Sequence, residues 1–115
     1  MQDNAERRRD IRVHVSPPGQ IVRIAGREPI EILNASFRGL FARVTNEPPQ
    51  AGELIKLAVE LPAGPVQLQG VAVRIVRDRA GRAGVGFRFF ALNGETKRLW
   101  ESYITNLLGT RQAAA

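Results

Sequence analysis

The segment LIKLAVEL, residues 54–61, alternates without a lapse: Ile55, Leu57, Val59 and Leu61 share one parity, and Lys56, Ala58 and Glu60 the other. Successive side chains of a strand point to opposite faces, so this is an extended segment with one face in a core and the other toward water.

The flanking sequence repeats the theme in shorter pieces. Val13 to Ser16 starts a strand, SPPGQ at 16–20 reads as a turn because proline lacks a donor and glycine admits positive φ, and Ile21 to Ile24 follows as a second apolar segment. AGREP at 25–29 reads as another break, after which Ile30 and Ile32 alternate with glutamate. Phe37 to Val44 is again strand-like and is closed by NEPPQAGE at 46–53. Beyond residue 61, the apolar parity of 66–77 passes from Val66 and Leu68 to Val71, Val73 and Ile75, which predicts a bulge at Gly70. Val85, Phe87 and Phe89 form a last strand.

The period then lengthens. Leu99, Tyr103 and Leu107 recur every fourth residue, Trp100, Ile104 and Leu108 widen the stripe, Asn93 is a suitable N-cap and Glu95 falls in the first turn. Gly109 reads as the stop, with TRQAAA at 110–115 as a disordered tail. The expectation is a mainly β domain over 13–109, a small antiparallel barrel or sandwich of six or seven strands covered at an end or edge by one C-terminal helix. Residues 1–12 are polar and are expected to form a flexible basic arm.

Composition narrows the functional classes. The chain has 115 residues, 43% of them hydrophobic, which suits one domain with a small core. Lys and Arg number 17 against 11 Asp and Glu, a formal net charge of +6 that favours an anionic partner. Arginine supplies nearly all of it, since lysine stands only at 56 and 97, and guanidinium offers a planar donor fork where ammonium offers a point charge. With no cysteine and a single histidine, disulfides and thiolate metal sites are excluded and no metal is expected. No apolar run approaches a membrane span and no signal peptide is evident, so a cytosolic protein without membrane insertion is expected.

Two motifs carry the functional reading. ERRRDIR at 6–12 holds four arginines, and NASFRG at 34–39 lies between two expected strands. Each has an ordinary explanation, the first as a solubilising arm and the second as a turn. Together, Arg8 and Arg12 as RxxxR followed by Asn34, Ser36 and Gly39 as [D/N]xSxxG resemble the PilZ domain, the bacterial receptor module for cyclic di-GMP. The likeness extends through GRAGVGFRFFALN at 81–93 to the closing helix. It implies a β-barrel with that helix packed on it and second-messenger signalling tied to motility or biofilm. It also implies a ligand site of Arg8, Arg12, Asn34, Ser36 and Gly39, with Arg7 added where an intercalated pair of cyclic di-GMP molecules binds. No other cofactor is implied, and the output would be an unidentified protein effector.

The chemistry suits those residues. Guanine presents O6 and N7 as adjacent acceptors that one guanidinium takes bidentately, and guanidinium also stacks on a base plane. Arg8 and Arg12 are expected to fold over a ligand resting on the barrel. Asn34 and Ser36 are expected to hydrogen-bond base or phosphate groups, with Gly39 keeping the floor open.

Other residues read as structural. His14 has no ligand set around it, Ser16 no nucleophile context, and Glu28, Glu31 and Glu60 are exposed strand positions, so no enzyme is expected. Arg74, Arg77, Arg79 and Arg82 read as a solvated hairpin, and GVGF at 84–87 lacks the remainder of a phosphate loop. The competing function is a PilZ-like interaction domain with weak or no nucleotide binding. General DNA binding ranks below it because basic and aromatic residues are not interleaved.

Overall fold

The computed structural model describes residues 11–114. Among the described residues, seven strands run β1 Val13–His14, β2 Pro18–Arg23, β3 Gly26–Ala35, β4 Gly39–Val44, β5 Leu54–Leu61, β6 Gly64–Arg77 and β7 Ala83–Phe89, followed by one helix, α1, Gly94–Ala114. All pairings are antiparallel. Neighbours follow the order β3-β2-β5-β6-β7-β4, and β4 returns to pair with β3, closing a six-stranded barrel; β1 adds to β3 beside β2. The expected mainly β barrel with a C-terminal helix is the observed architecture. No helix among the described residues is long and apolar enough to cross a membrane.

The alternation of 54–61 is realised as read. Ile55, Leu57, Val59 and Leu61 are buried, together with Val66, Leu68 and Ala72 of β6 and Val85 and Phe87 of β7. Trp100 and Ile104 of α1 complete this core, so the helix stripe packs against the barrel as its spacing predicts. Asn93 starts the helix by accepting the Lys97 amide at its carbonyl, 3.2 Å away.

Four details differ from the sequence reading, each for a physical reason. Strand β2 begins at Pro18, so SPPGQ is a break of only a few residues between β1 and β2, both of which lie along β3. Prolines 17 and 18 cannot donate to the ladder, and the Ser16 hydroxyl donates instead to the Ile32 carbonyl at 2.9 Å. AGREP is likewise mostly strand: Arg23 pairs with Gly26 across a two-residue turn, and Pro29 sits where β3 has β2 but not yet β4 as a neighbour.

The bulge of β6 falls between Ala72 and Arg74 rather than at Gly70. Gly70 faces inward in unbroken register with Ile55, and a Cβ there would lie 3.1 Å from the Cβ of Phe87 and 3.3 Å from Leu57 Cδ1. Glycine is needed there because its neighbours fill the space. Finally, α1 runs through Gly109 to Ala114, where the sequence predicts a stop and a tail. Gly109 lacks the positive φ of a terminating glycine, and an interior glycine costs a helix only about 1 kcal/mol.

This register makes a direct prediction. Gly70→Val should destabilise the domain by about 1–3 kcal/mol through overpacking, whereas Gln69→Val on the outer face should stay within about 0.5 kcal/mol. Urea denaturation of the two variants checks it.

Candidate functional site

The site grows from the end of β3. Val13 pairs with Ala35 and His14 with Asn34, so the short β1 fixes the residue that precedes it. Arg12 is thereby held over the barrel, and its Nη1 donates to Asn34 Oδ1 at 3.0 Å across 22 positions of sequence. One contact links the second arginine of RxxxR to the first residue of [D/N]xSxxG. Most of the guanidinium donors have no partner among the described residues, and the side chain is exposed, so the fork stays available to an acceptor. Arg7 and Arg8 lie outside the described residues.

Ser36 and Gly39 occupy a different layer. Ser36 is fully buried. Its amide donates to the Gly39 carbonyl at 2.9 Å, its hydroxyl donates weakly to the same oxygen at 3.4 Å, and that hydroxyl accepts the Arg38 amide at 3.3 Å. The Ser36 carbonyl accepts Trp100 Nε1 from α1 at 2.8 Å. Gly39 is buried beneath β7: a Cβ there would stand 2.1 Å from the Phe87 carbonyl oxygen, so β4 reaches β7 only with glycine at that position. In this conformation both residues shape the turn, and Arg12 and Asn34 face outward from it.

The barrel register adds residues the motifs do not name. Asn34 pairs with Phe41, Phe41 with Gly86, and Gly86 with Arg74, while His14 pairs with Asn34 from the other side. Paired residues share a face. The outer surface therefore carries a row running His14, Asn34, Phe41, Gly86, Arg74. An adjacent row brings Arg88 beside Gly39. The linear sequence marks none of these as neighbours, because Asn34 and Arg74 meet only through two intervening strands. Among the described residues, no group of three potential metal ligands occurs.

The turn from β6 to β7 is organised by its own charge. Asp78 accepts the amides of Ala80 and Arg82, both at 2.9 Å, and its other oxygen accepts Arg82 Nε at 2.9 Å. The Arg82 amide foremost, then the Arg82 guanidinium, holds the Asp78 carboxyl below the usual carboxylate range. On α1, burial raises the Tyr103 hydroxyl above its ordinary value.

The geometry defines a class: a closed β-barrel that carries an exposed arginine, Arg12, beside a polar turn on its outer wall. The chain matches the PilZ domain over residues 6–106 and belongs to that family. No curated protein sequence matches it. Among solved structures, it is similar to the Bacillus subtilis inhibitor of motility MotI/DgrA, with a TM-score of 0.75 at 16% identity, covering 95% of this chain and 53% of that one. It is also similar to Escherichia coli YcgR in complex with c-di-GMP, with a TM-score of 0.72 at 21% identity, covering 94% of this chain and 49% of that one. The PilZ domain of Escherichia coli YcgR with c-di-GMP gives 0.69 at 20% identity, covering 94% and 97%. The chain thus spans about half the length of the first two proteins and nearly all of the isolated domain.

The bond between Trp100 and the turn is open to a direct check. Trp100→Phe keeps an aromatic ring but leaves the buried Ser36 carbonyl without its donor, and should cost about 1–3 kcal/mol. Thermal and urea unfolding measure it.

Proposed function

We propose that this chain is a non-enzymatic c-di-GMP receptor whose N-terminal arginines clamp the dinucleotide onto the outer face of the barrel. The Arg12–Asn34 contact is the observation that carries the reading, because it sets one arm guanidinium beside the polar turn before any ligand arrives. A cyclic dinucleotide offers phosphates for charge-assisted bonds and guanine edges for bidentate ones. Arg12 exchanges its amide acceptor for these stronger acceptors, and Asn34 is released to bond a base or phosphate group. Arg8 supplies the second guanidinium, and Arg7 a third where two intercalated dinucleotides bind.

In this reading Ser36 and Gly39 act by position. The buried serine holds the turn that aims Asn34 outward, and the glycine allows β4 to lie against β7 beneath it. Ligand binding orders the arm against β1 and changes the surface offered to an effector protein, which makes the domain a cytosolic adaptor.

Isothermal titration with c-di-GMP tests the assignment. Binding in the micromolar range or tighter is expected. Arg12→Ala or Arg8→Ala should each weaken it by about 10- to 100-fold, the worth of a hydrogen bond to a charged group. Unchanged affinity in both variants overturns the clamp. Raising the salt concentration should weaken c-di-GMP binding far less than it weakens nonspecific DNA binding, which falls steeply with the number of phosphates contacted.

A further inference from the structure

Beside the row that holds Asn34 lies a second concave strip that the nucleotide reading does not use. Arg43 pairs with Gly84 and Gly84 with Val76, so this row crosses β4, β7 and β6 one step along the strands. The Phe41 ring leans onto it: a Cβ on Gly84 would lie 2.5 Å from Phe41 Cζ, and glycine lets the ring lie flat on the backbone. With Leu33 and with Val76, which is 39% exposed, Phe41 lines an open hollow of about 290 Å³. Its rim is formed by Arg43, Arg77 and Arg82.

The rim is unbalanced in charge. Glu31 and Asp78 are each occupied, by Arg43 and Arg82 respectively, at 2.9 Å. Arg77 donates only to the Gly81 carbonyl, at 3.0 Å, and the neighbouring Arg74 and Arg79 have no acidic partner among the described residues. Of the rim arginines, Arg77 therefore stands without an acidic partner among the described residues at the edge of an apolar floor, and Arg74 and Arg79 add uncompensated charge in the flanking sequence without lining the hollow. Arg77 ends β6, and the turn that follows it is fixed by the bonds to Asp78, so little order has to be created on binding.

We infer that this face docks an acidic polypeptide segment carrying one exposed apolar side chain. An apolar anchor in a shallow pocket with a polar rim is the usual build of a protein contact, and arginine forks take carboxylates bidentately. The hollow suits a side chain rather than a nucleotide, because the Phe41 ring is already covered by the β7 backbone on one face. The rim arginines are not assigned to the dinucleotide, so Arg77→Glu separates this contact from the nucleotide site, although Phe41 borders both because it pairs with Asn34.

The test uses the ¹⁵N-labelled full chain and a short synthetic Asp/Glu-rich peptide with a central Phe, with a Gly-centred peptide of equal charge as control. Amide shifts should cluster at Leu33, Phe41, Val76 and Gly84. Arg77→Glu should weaken the Phe peptide by about tenfold or more, and Val76→Ser should weaken the Phe peptide while leaving the Gly peptide unchanged. Shifts centred on α1 or on Asn34, equal affinity for the two peptides, or no binding at all would overturn the inference. So would binding of phosphatidylglycerol vesicles through Arg77 with no peptide binding, which would make the face a lipid contact.

Discussion

Ser36 carries no exposed surface, yet each of its polar groups is engaged: the amide and hydroxyl close the turn on Gly39, the hydroxyl also receives the Arg38 amide, and the carbonyl receives the Trp100 indole. A buried polar residue is tolerated only when satisfied in this way, and breaking one link strands another group in a medium that cannot solvate it. The turn between β3 and β4 is therefore a fixed object. Asn34, immediately before it, inherits that rigidity, and so does the arm residue Arg12 that bonds to Asn34.

The same serine joins two structural layers. Trp100 packs edge-on against Phe89 at 5.0 Å and lies near Tyr103 at 5.7 Å, so the indole is anchored among the aromatics of α1 and β7 while its nitrogen reaches the turn. The helix is thus tied by one directional bond to the turn that follows Asn34. Strand β1 contributes the pairing that holds Arg12 in reach. A strand of two residues is enough because it only has to position its own neighbour.

Much of this was legible in the chain. Regular alternation in 54–61 and fourfold spacing from Leu99 to Leu107 fix periods that packing then obeys. One residue of each motif, Arg12 and Asn34, meets the other in a hydrogen bond. What the sequence hides is the layer in which each motif residue sits: Ser36 is buried with its hydroxyl turned to the Gly39 carbonyl, and Gly39 lies where a Cβ would meet the Phe87 carbonyl, while Asn34 is on the outer face. Glycine shows no face to a pattern reader, which is why Gly70 mimics a break in parity while facing inward against Phe87 and Leu57. Proline misleads similarly, since Pro18 and Pro29 remain in strands where Ser16 supplies the missing donor or one neighbour is absent. The outer row linking Asn34 to Phe41 and Arg74 arises from barrel closure and has no linear signal.

The most direct measurement is a crystal structure of the chain bound to c-di-GMP. The account predicts the dinucleotide across β1, β3 and β4, with the Arg12 guanidinium transferred from Asn34 to a phosphate or guanine edge, and with the Ser36–Trp100 bond intact beneath it. A ligand seated on another wall of the barrel, or an unbroken Arg12–Asn34 pair with no arm arginine touching the dinucleotide, would contradict it.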